Sequence, residues 1–249
     1  MRISTGLFVF IILFITTSIS TYAQVINAGV SGNTAVDLLK RLDDDVLIKS
    51  PDLVIVMVGT NDMLNSKKLV SYQAYEDYLE RIVIRLKQMK SNVVLMTSPP
   101  ADSVYLFKRH DKKLFKESPN VKLDSARNRV HHVAKKLSVH YLDLFQVFND
   151  MNLPKHNSDL FFKNSSNSGA ADGVHPTALG YRFIGEFVFR YLKENLLLKN
   201  PQKIICLGDS ITYGSGMVGR GTATGDTYPA VLQDFINNEY NSINRPSKN

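Results

Sequence analysis

Lys203-Ile204-Ile205-Cys206-Leu207-Gly208-Asp209-Ser210-Ile211-Thr212-Tyr213-Gly214 is the stretch from which the fold can be read. Its apolar run, uninterrupted from Ile204 to Leu207, reads as a short strand buried on both faces, and Gly208-Asp209 reads as the turn that ends it. A serine directly beyond such a strand stands at the carboxyl end of the sheet, where open α/β sheets place their ligands. That position makes Ser210 a candidate nucleophile. Gly-Asp-Ser alone is also a common turn, so the rest of the chain has to decide.

Similar apolar runs occur at 25–28, 53–58, 92–97 and 140–144. Between the runs lie amphipathic segments at 34–48, 72–89, 122–137, 177–197 and 227–238, as in the helical spacing of Tyr78, Ile82, Leu86 and Met89. This alternation predicts parallel strands joined by helical crossovers, an α/β fold with a five-stranded sheet. Thr177 is placed to cap the helix after Pro176. The polar segment 149–171 is long for a compact domain. It reads either as a wall of a substrate pocket or as a surface insertion anchored by Phe161 and Phe162. Its Asn164-Ser165-Ser166 sequon matters only if the source organism glycosylates such sites.

The formal charge is +7, yet the cations are dispersed, with Lys112-Lys113-Lys116 and Lys135-Lys136 the only local concentrations. A nucleic-acid surface would gather them, so no nucleic-acid partner is expected. The single cysteine, Cys206, excludes an intramolecular disulfide and reads as a buried, inert thiol. Residues 1–23 combine Arg2, an apolar stretch densest at 7–15, and small residues at Thr21-Tyr22-Ala23. They read as a signal peptide cleaved before Gln24, with an uncleaved anchor as the alternative. Residues 24–249 then form one domain, secreted or periplasmic, without stable membrane insertion.

Three further blocks lie upstream of the opening stretch: Gly29-Val30-Ser31-Gly32-Asn33-Thr34, Gly59-Thr60-Asn61-Asp62 and Asp172-Gly173-Val174-His175-Pro176. Together with Gly208-Asp209-Ser210 they resemble the four blocks of the SGNH (GDSL) hydrolases. The resemblance implies a three-layer α/β/α, flavodoxin-like fold with sheet order 2-1-3-4-5. Such enzymes ordinarily carry the serine block first, whereas here it comes last. The resemblance therefore implies a circularly permuted chain, whose strand 203–207 inserts between 25–28 and 53–58. A rearranged gene without a working site would give the same order, and the order alone leaves both open.

Carried onto this sequence, the resemblance assigns Ser210 as nucleophile, His175 as general base and Asp172 as the acid that orients it. Serine ester hydrolysis needs this set because a neutral imidazole must take the hydroxyl proton while a carboxylate fixes its tautomer. Pro176 favours an extended His175. The family pattern draws the oxyanion donors from the N–H of Ser210, the N–H of Gly32 and the side-chain amide of Asn61; Gly32 permits close backbone approach to the substrate. No metal or organic cofactor is implied. The expected reaction is hydrolysis of short acyl esters, O-acetyl groups on carbohydrate in particular, by analogy with exported members of the family. The expected partner is a small-molecule or carbohydrate ester. Lysophospholipase or thioesterase activity is the alternative within the same chemistry, and a non-catalytic carbohydrate-binding domain is the alternative outside it.

Three other patterns point elsewhere and are weaker. Gly214-Ser215-Gly216-Met217-Val218-Gly219 has the spacing of a dinucleotide fingerprint, but it begins seven residues past the strand. Ser31 lies in a stretch resembling a nucleophile elbow, which requires glycine where Asn33 stands. His131 and His132 adjoin on a predicted helix and so point in different directions, a poor pair of metal ligands.

Overall fold

The computed structural model describes residues 23–243, so nearly all of the proposed signal segment and residues 244–249 lie outside the described residues. Five strands, β1 (Gln24–Gly29), β2 (Leu53–Met57), β3 (Asn92–Met96), β4 (His140–Leu142) and β5 (Lys203–Gly208), form one sheet in the order β1-β5-β2-β3-β4. All its pairings are parallel. β5, the last strand in the chain, is thus an interior strand. Gly208 lies opposite Gly29 on one side and Met57 on the other.

The unbroken apolar character of β5 follows from this placement. Ile205 and Leu207 pack toward the Ala35–Lys40, Tyr72–Gln88 and Pro119–Leu137 helices. Ile204 and Cys206 pack toward the Ala178–Glu194 and Tyr228–Ile243 helices. Side chains alternate across a strand, so helices on both faces demand apolar residues at both parities. Burial pushes the Cys206 thiol up to about 12, which leaves it an inert core group.

β1 is an edge strand and its free side is covered locally. Gln233, on the last helix, accepts from the N–H of Val25 at 2.7 Å and donates to the carbonyl of Ala23 at 3.0 Å. This contact blunts an edge that could otherwise pair with another chain. It also ties the first described residues to the last helix.

Two of the departures from the sequence expectation have a local cause. The single helix expected at 34–48 is broken into Ala35–Lys40, Leu42–Asp45 and a 3₁₀ turn at Leu47–Lys49. The break falls at Arg41, whose guanidinium donates to the carbonyls of Ala28 and Gly208, both at 2.9 Å. Three successive aspartates, poor helix formers, follow it. The helix expected from 122 begins at Pro119, with proline in the first turn behind Ser118. Proline is preorganised for that position, a start signal the periodicity does not carry.

Ile205 is fully buried in β5, whereas Ile48 is 77% exposed. Ile205→Ala is expected to lower stability by about 2–5 kcal/mol, and Ile48→Ala to stay within about 0.5 kcal/mol. Urea unfolding of the two variants checks this, and similar losses would contradict the interior position of β5.

Candidate active site

Every residue singled out in the four blocks lies in a connection at the carboxyl end of the sheet or in the loop entering the Ala178–Glu194 helix. Ser210 opens a one-turn helix, Ser210–Tyr213, and the Asp209 side chain caps that helix by accepting from the N–H of Ile211 at 2.9 Å. The Ser210 hydroxyl lies 2.9 Å from His175 Nε2. On the other side of the ring, His175 Nδ1 lies 2.9 Å from Asp172 Oδ2 and 3.1 Å from Oδ1. Asp172, His175 and Ser210 are therefore in continuous hydrogen-bonded contact. With Nδ1–H donated to the carboxylate, Nε2 is left to accept the serine proton.

The Asp172 carboxyl is held by its own loop. Its Oδ1 accepts from the N–H groups of Val174 and His175, both at 2.9 Å. Burial by itself would raise this carboxyl. The hydrogen bond and charge of His175 and the two N–H donors outweigh burial and hold it well below the usual carboxylate range. The loop turns at Gly173, whose φ of +67° is unfavourable for other residues. A side chain there would also collide with the neighbouring turn, since its Cβ would fall 2.6 Å from that of Asp102.

Asn61 donates through Nδ2 to the carbonyl of Asn33 at 3.0 Å, which ties the block at 59–62 to the block at 29–34 and leaves its other N–H available. Gly32 sits in a turn with φ +79°, and a side chain there would meet nothing within 4 Å. The left-handed backbone gives a reason for glycine at this position. The N–H groups of Gly32 and Ser210 have no acceptor among the described residues. A cleft of about 290 Å³ is lined by Ser210, His175, Asp172, Asn61 and Thr60, with Leu64, Leu106 and Val174 as its apolar part. Asn65, Arg109 and His110 complete its rim.

The 149–171 segment does not contribute to that lining. It braces the His175 loop from behind instead. Lys163 donates its backbone N–H to the carbonyl of His175 at 2.9 Å, and its own carbonyl accepts from the N–H of Gly173 at 2.8 Å. Its ammonium reaches the carbonyl of Ser215 at 2.9 Å, and Ser215 in turn donates to the carbonyl of Ser210 at 3.1 Å. Phe162 is buried against Phe148, so the aromatic pair anchors this brace.

Other contributors carry no local sequence signal. Arg109 donates to the carbonyl of Asp172 at 2.7 Å and to that of Ala171 at 3.2 Å. Asp102 receives His156 Nδ1 at 2.6 Å and donates its own N–H to the carbonyl of Gly173 at 2.8 Å. These pairs are more than fifty residues apart, so no motif spacing links them. The rejected patterns take other roles, and Ser31 Oγ lies 2.9 Å from Ser215 Oγ. His132 pairs with Glu76, His131 packs on Tyr141, and the glycines from Gly214 to Gly225 serve turns leading to the last helix. Among the described residues no group of three or more His, Cys, Asp or Glu is arranged to hold a metal ion.

The family described as GDSL-like lipase/acylhydrolase matches residues 2–188, and the match ends before β5 and Ser210. An acetylxylan esterase of Geobacillus stearothermophilus is 25% identical over 174 residues, which cover 67% of this chain and 71% of that protein. An uncharacterized lipoprotein of Bacillus subtilis, YqeF, is 25% identical over 66% of this chain and 71% of its own length. The crystal structure of a lipase/acylhydrolase from Enterococcus faecalis superposes with a TM-score of 0.52 at 26% identity, covering 69% of this chain and 75% of that one.

The lowered Asp172 carboxyl has a consequence for stability. A group whose folded value is depressed stabilises the fold above its unfolded value, about 3.9 for aspartate, and loses that contribution as pH falls through the folded value. Asp172→Asn is therefore expected to be less stable than the parent at neutral pH, with the gap narrowing below about pH 4. Thermal unfolding of both proteins across that range checks this, and a gap independent of pH would contradict it.

Proposed function

The chain belongs to the GDSL-like lipase/acylhydrolase family, and from that premise we propose that it is a serine esterase using Ser210 as nucleophile, His175 as base and Asp172 as the residue that orients His175. The observation that carries this reading is the 2.9 Å approach of His175 Nε2 to the Ser210 hydroxyl, with Nδ1 held on Asp172. Nε2 takes the hydroxyl proton as Ser210 Oγ attacks the ester carbonyl, and Asp172 stabilises the imidazolium that forms. The carbonyl oxygen becomes an oxyanion, for which the N–H groups of Ser210 and Gly32 and the amide of Asn61 are the donors. Collapse breaks the ester C–O bond, and the imidazolium returns its proton to the departing alcohol. Water then attacks the acyl-Ser210 carbonyl with His175 again as base, which releases the carboxylic acid and restores the serine.

The substrate we propose is a short acyl ester, O-acetyl on a carbohydrate. A cleft of about 290 Å³ with three aliphatic residues suits an acetyl group, while Asn65, Arg109 and His110 offer polar partners to a hydroxyl-rich leaving group. Similarity to an acetylxylan esterase supports the same class. A second groove favours the lysophospholipase or thioesterase reading. It encloses about 440 Å³ and is lined by Leu160, Leu179, Met217 and the Lys163 brace, which would suit a longer acyl chain.

Permutation and export belong to the same proposal. Relabelling β5 as the first strand turns the observed order into 2-1-3-4-5, and the segment after residue 188 then supplies what the family match lacks. Export from the cytoplasm is supported by the leader-like residues 1–23 and by similarity to a lipoprotein. Among the described residues no helix is long and apolar enough to cross a membrane.

Hydrolysis of 4-nitrophenyl acetate should be measured for the chain and for Ser210→Ala. Turnover that disappears in the variant is expected, and equal rates would leave a binding domain as the better reading. Asn61→Ala is expected to lower kcat by about a hundredfold or more. In a series of acyl lengths, kcat/KM should be highest for acetate, and a maximum at eight carbons or beyond would transfer the assignment to the second groove.

A further inference from the structure

Behind the proposed oxyanion donors lie two carboxyl groups that the ester chemistry does not use. Asp62 follows Asn61 and is fully buried; Asp209 precedes Ser210 and is 1% exposed. Asp62 Oδ1 accepts from the N–H of Ala35 at 2.9 Å, just past the Gly32 turn. Asp209 Oδ1 accepts from the N–H of Ile211. The other oxygen of each, Oδ2, has no hydrogen-bond partner among the described residues, and neither has the buried hydroxyl of Thr60. The Asp209 charge acts on Asp62, and Thr60 neighbours Asp209. The cluster thus joins the three chain segments that carry Gly32, Asn61 and Ser210.

Its surroundings do not neutralise two charges. Asp37, on the Ala35–Lys40 helix, adds negative charge toward Asp62. Tyr75, on the Tyr72–Gln88 helix, faces both carboxyl groups, Tyr181 and Tyr228, on the Ala178–Glu194 and Tyr228–Ile243 helices, face Asp209, and burial raises all three well above the ordinary tyrosine value, so they stay neutral. Among the groups that act on Asp209, His175 favours its ionised form. Arg41 spends its guanidinium on Asn33, Asp45 and the carbonyls of Ala28 and Gly208. A buried carboxylate oxygen with neither cation nor donor is costly, and a proton removes the cost.

We propose that Asp62 and Asp209 together retain one proton, and that this half-neutral pair positions Asn61, Gly32 and Ser210 for catalysis. The proposal rests on the esterase reading only for its catalytic consequence. Both are positioning residues, acting through the donors they hold. Burial first, then the neighbouring aspartate charges, raise Asp62 to about 7; burial raises Asp209 to about 6. Acids raised in the folded state favour folding at acid pH, and that contribution is lost as pH rises through the raised values. The shared proton is then released to solvent, and two buried carboxylates repel beside the site.

Infrared spectra of the purified chain, recorded from about pH 5 to about pH 8, test the pair without any substrate. A carbonyl band of a buried, protonated carboxyl group is expected in the parent, disappearing as pH rises. It should be absent in Asp62→Asn and in Asp209→Asn, where the amide supplies a fixed donor. Either variant suffices if the other fails to fold. In the same range the unfolding temperature should fall more steeply for the parent than for the variants. A band that persists in both variants, or is missing from the parent, overturns the shared proton. Loss of parent kcat on the alkaline side, in step with the band and absent in Asp62→Asn, is the catalytic signature. A band that titrates while kcat stays level would overturn the positioning role. If the parent has no esterase activity, the esterase reading fails while the infrared result still judges the proton.

Discussion

Gly208 ends a strand that is hydrogen-bonded along both edges, opposite Gly29 on β1 and Met57 on β2, and the rest of the site is arranged around that double pairing. With β5 in the interior, the carboxyl ends of β1, β5 and β2 adjoin, and each feeds a connection carrying one of the blocks. Arg41 reinforces the junction by bonding the terminal carbonyls of two of those strands. Parallel strands end on the same side, so any chemistry borne by their exits converges there. The order in which the chain reaches those strands does not alter the geometry, because pairing depends on position in the sheet.

The fourth block comes from outside this trio and must be aimed at Ser210 by its own supports. Asp172 is fixed by two backbone N–H groups, its loop by Lys163 and Asp102, and Lys163 also reaches the segment that follows Ser210. A single lysine therefore links the proposed base to the proposed nucleophile through backbone contacts on one side and an ammonium on the other. Such bracing keeps a short hydrogen-bonded chain in register, since a displacement of about 1 Å is enough to cost a large part of the rate.

Beneath the donors, the site is built over unsatisfied polarity. Thr60, Asp62 and Asp209 belong to the same turns as Asn61 and Ser210, and their buried oxygens set a local electrostatic constraint that the apolar layers above and below cannot relieve. A fold that stabilises itself through apolar layers thus retains ionisable groups where its loops must hold a reacting centre, as is common at functional sites.

The sequence by itself determined the five strands and the two-sided burial of β5, and the resemblance of its four short blocks singled out Ser210, His175, Asp172, Gly32 and Asn61 as candidates. Strand patterning is local, and short blocks at strand exits survive any rearrangement of the order in which they are read. It misplaced helix boundaries at 34–48 and at Pro119, where side-chain hydrogen bonds and first-turn chemistry outweigh periodicity. Only the tertiary structure decided that 149–171 braces His175 and does not line the cleft, that Arg41 closes two strand ends, and that Asp62 and Asp209 are both buried with one oxygen unpartnered among the described residues. Those relations join residues distant in sequence through burial and hydrogen bonding, and no periodicity or local spacing encodes which distant carboxyl group, carbonyl or ammonium will be its neighbour.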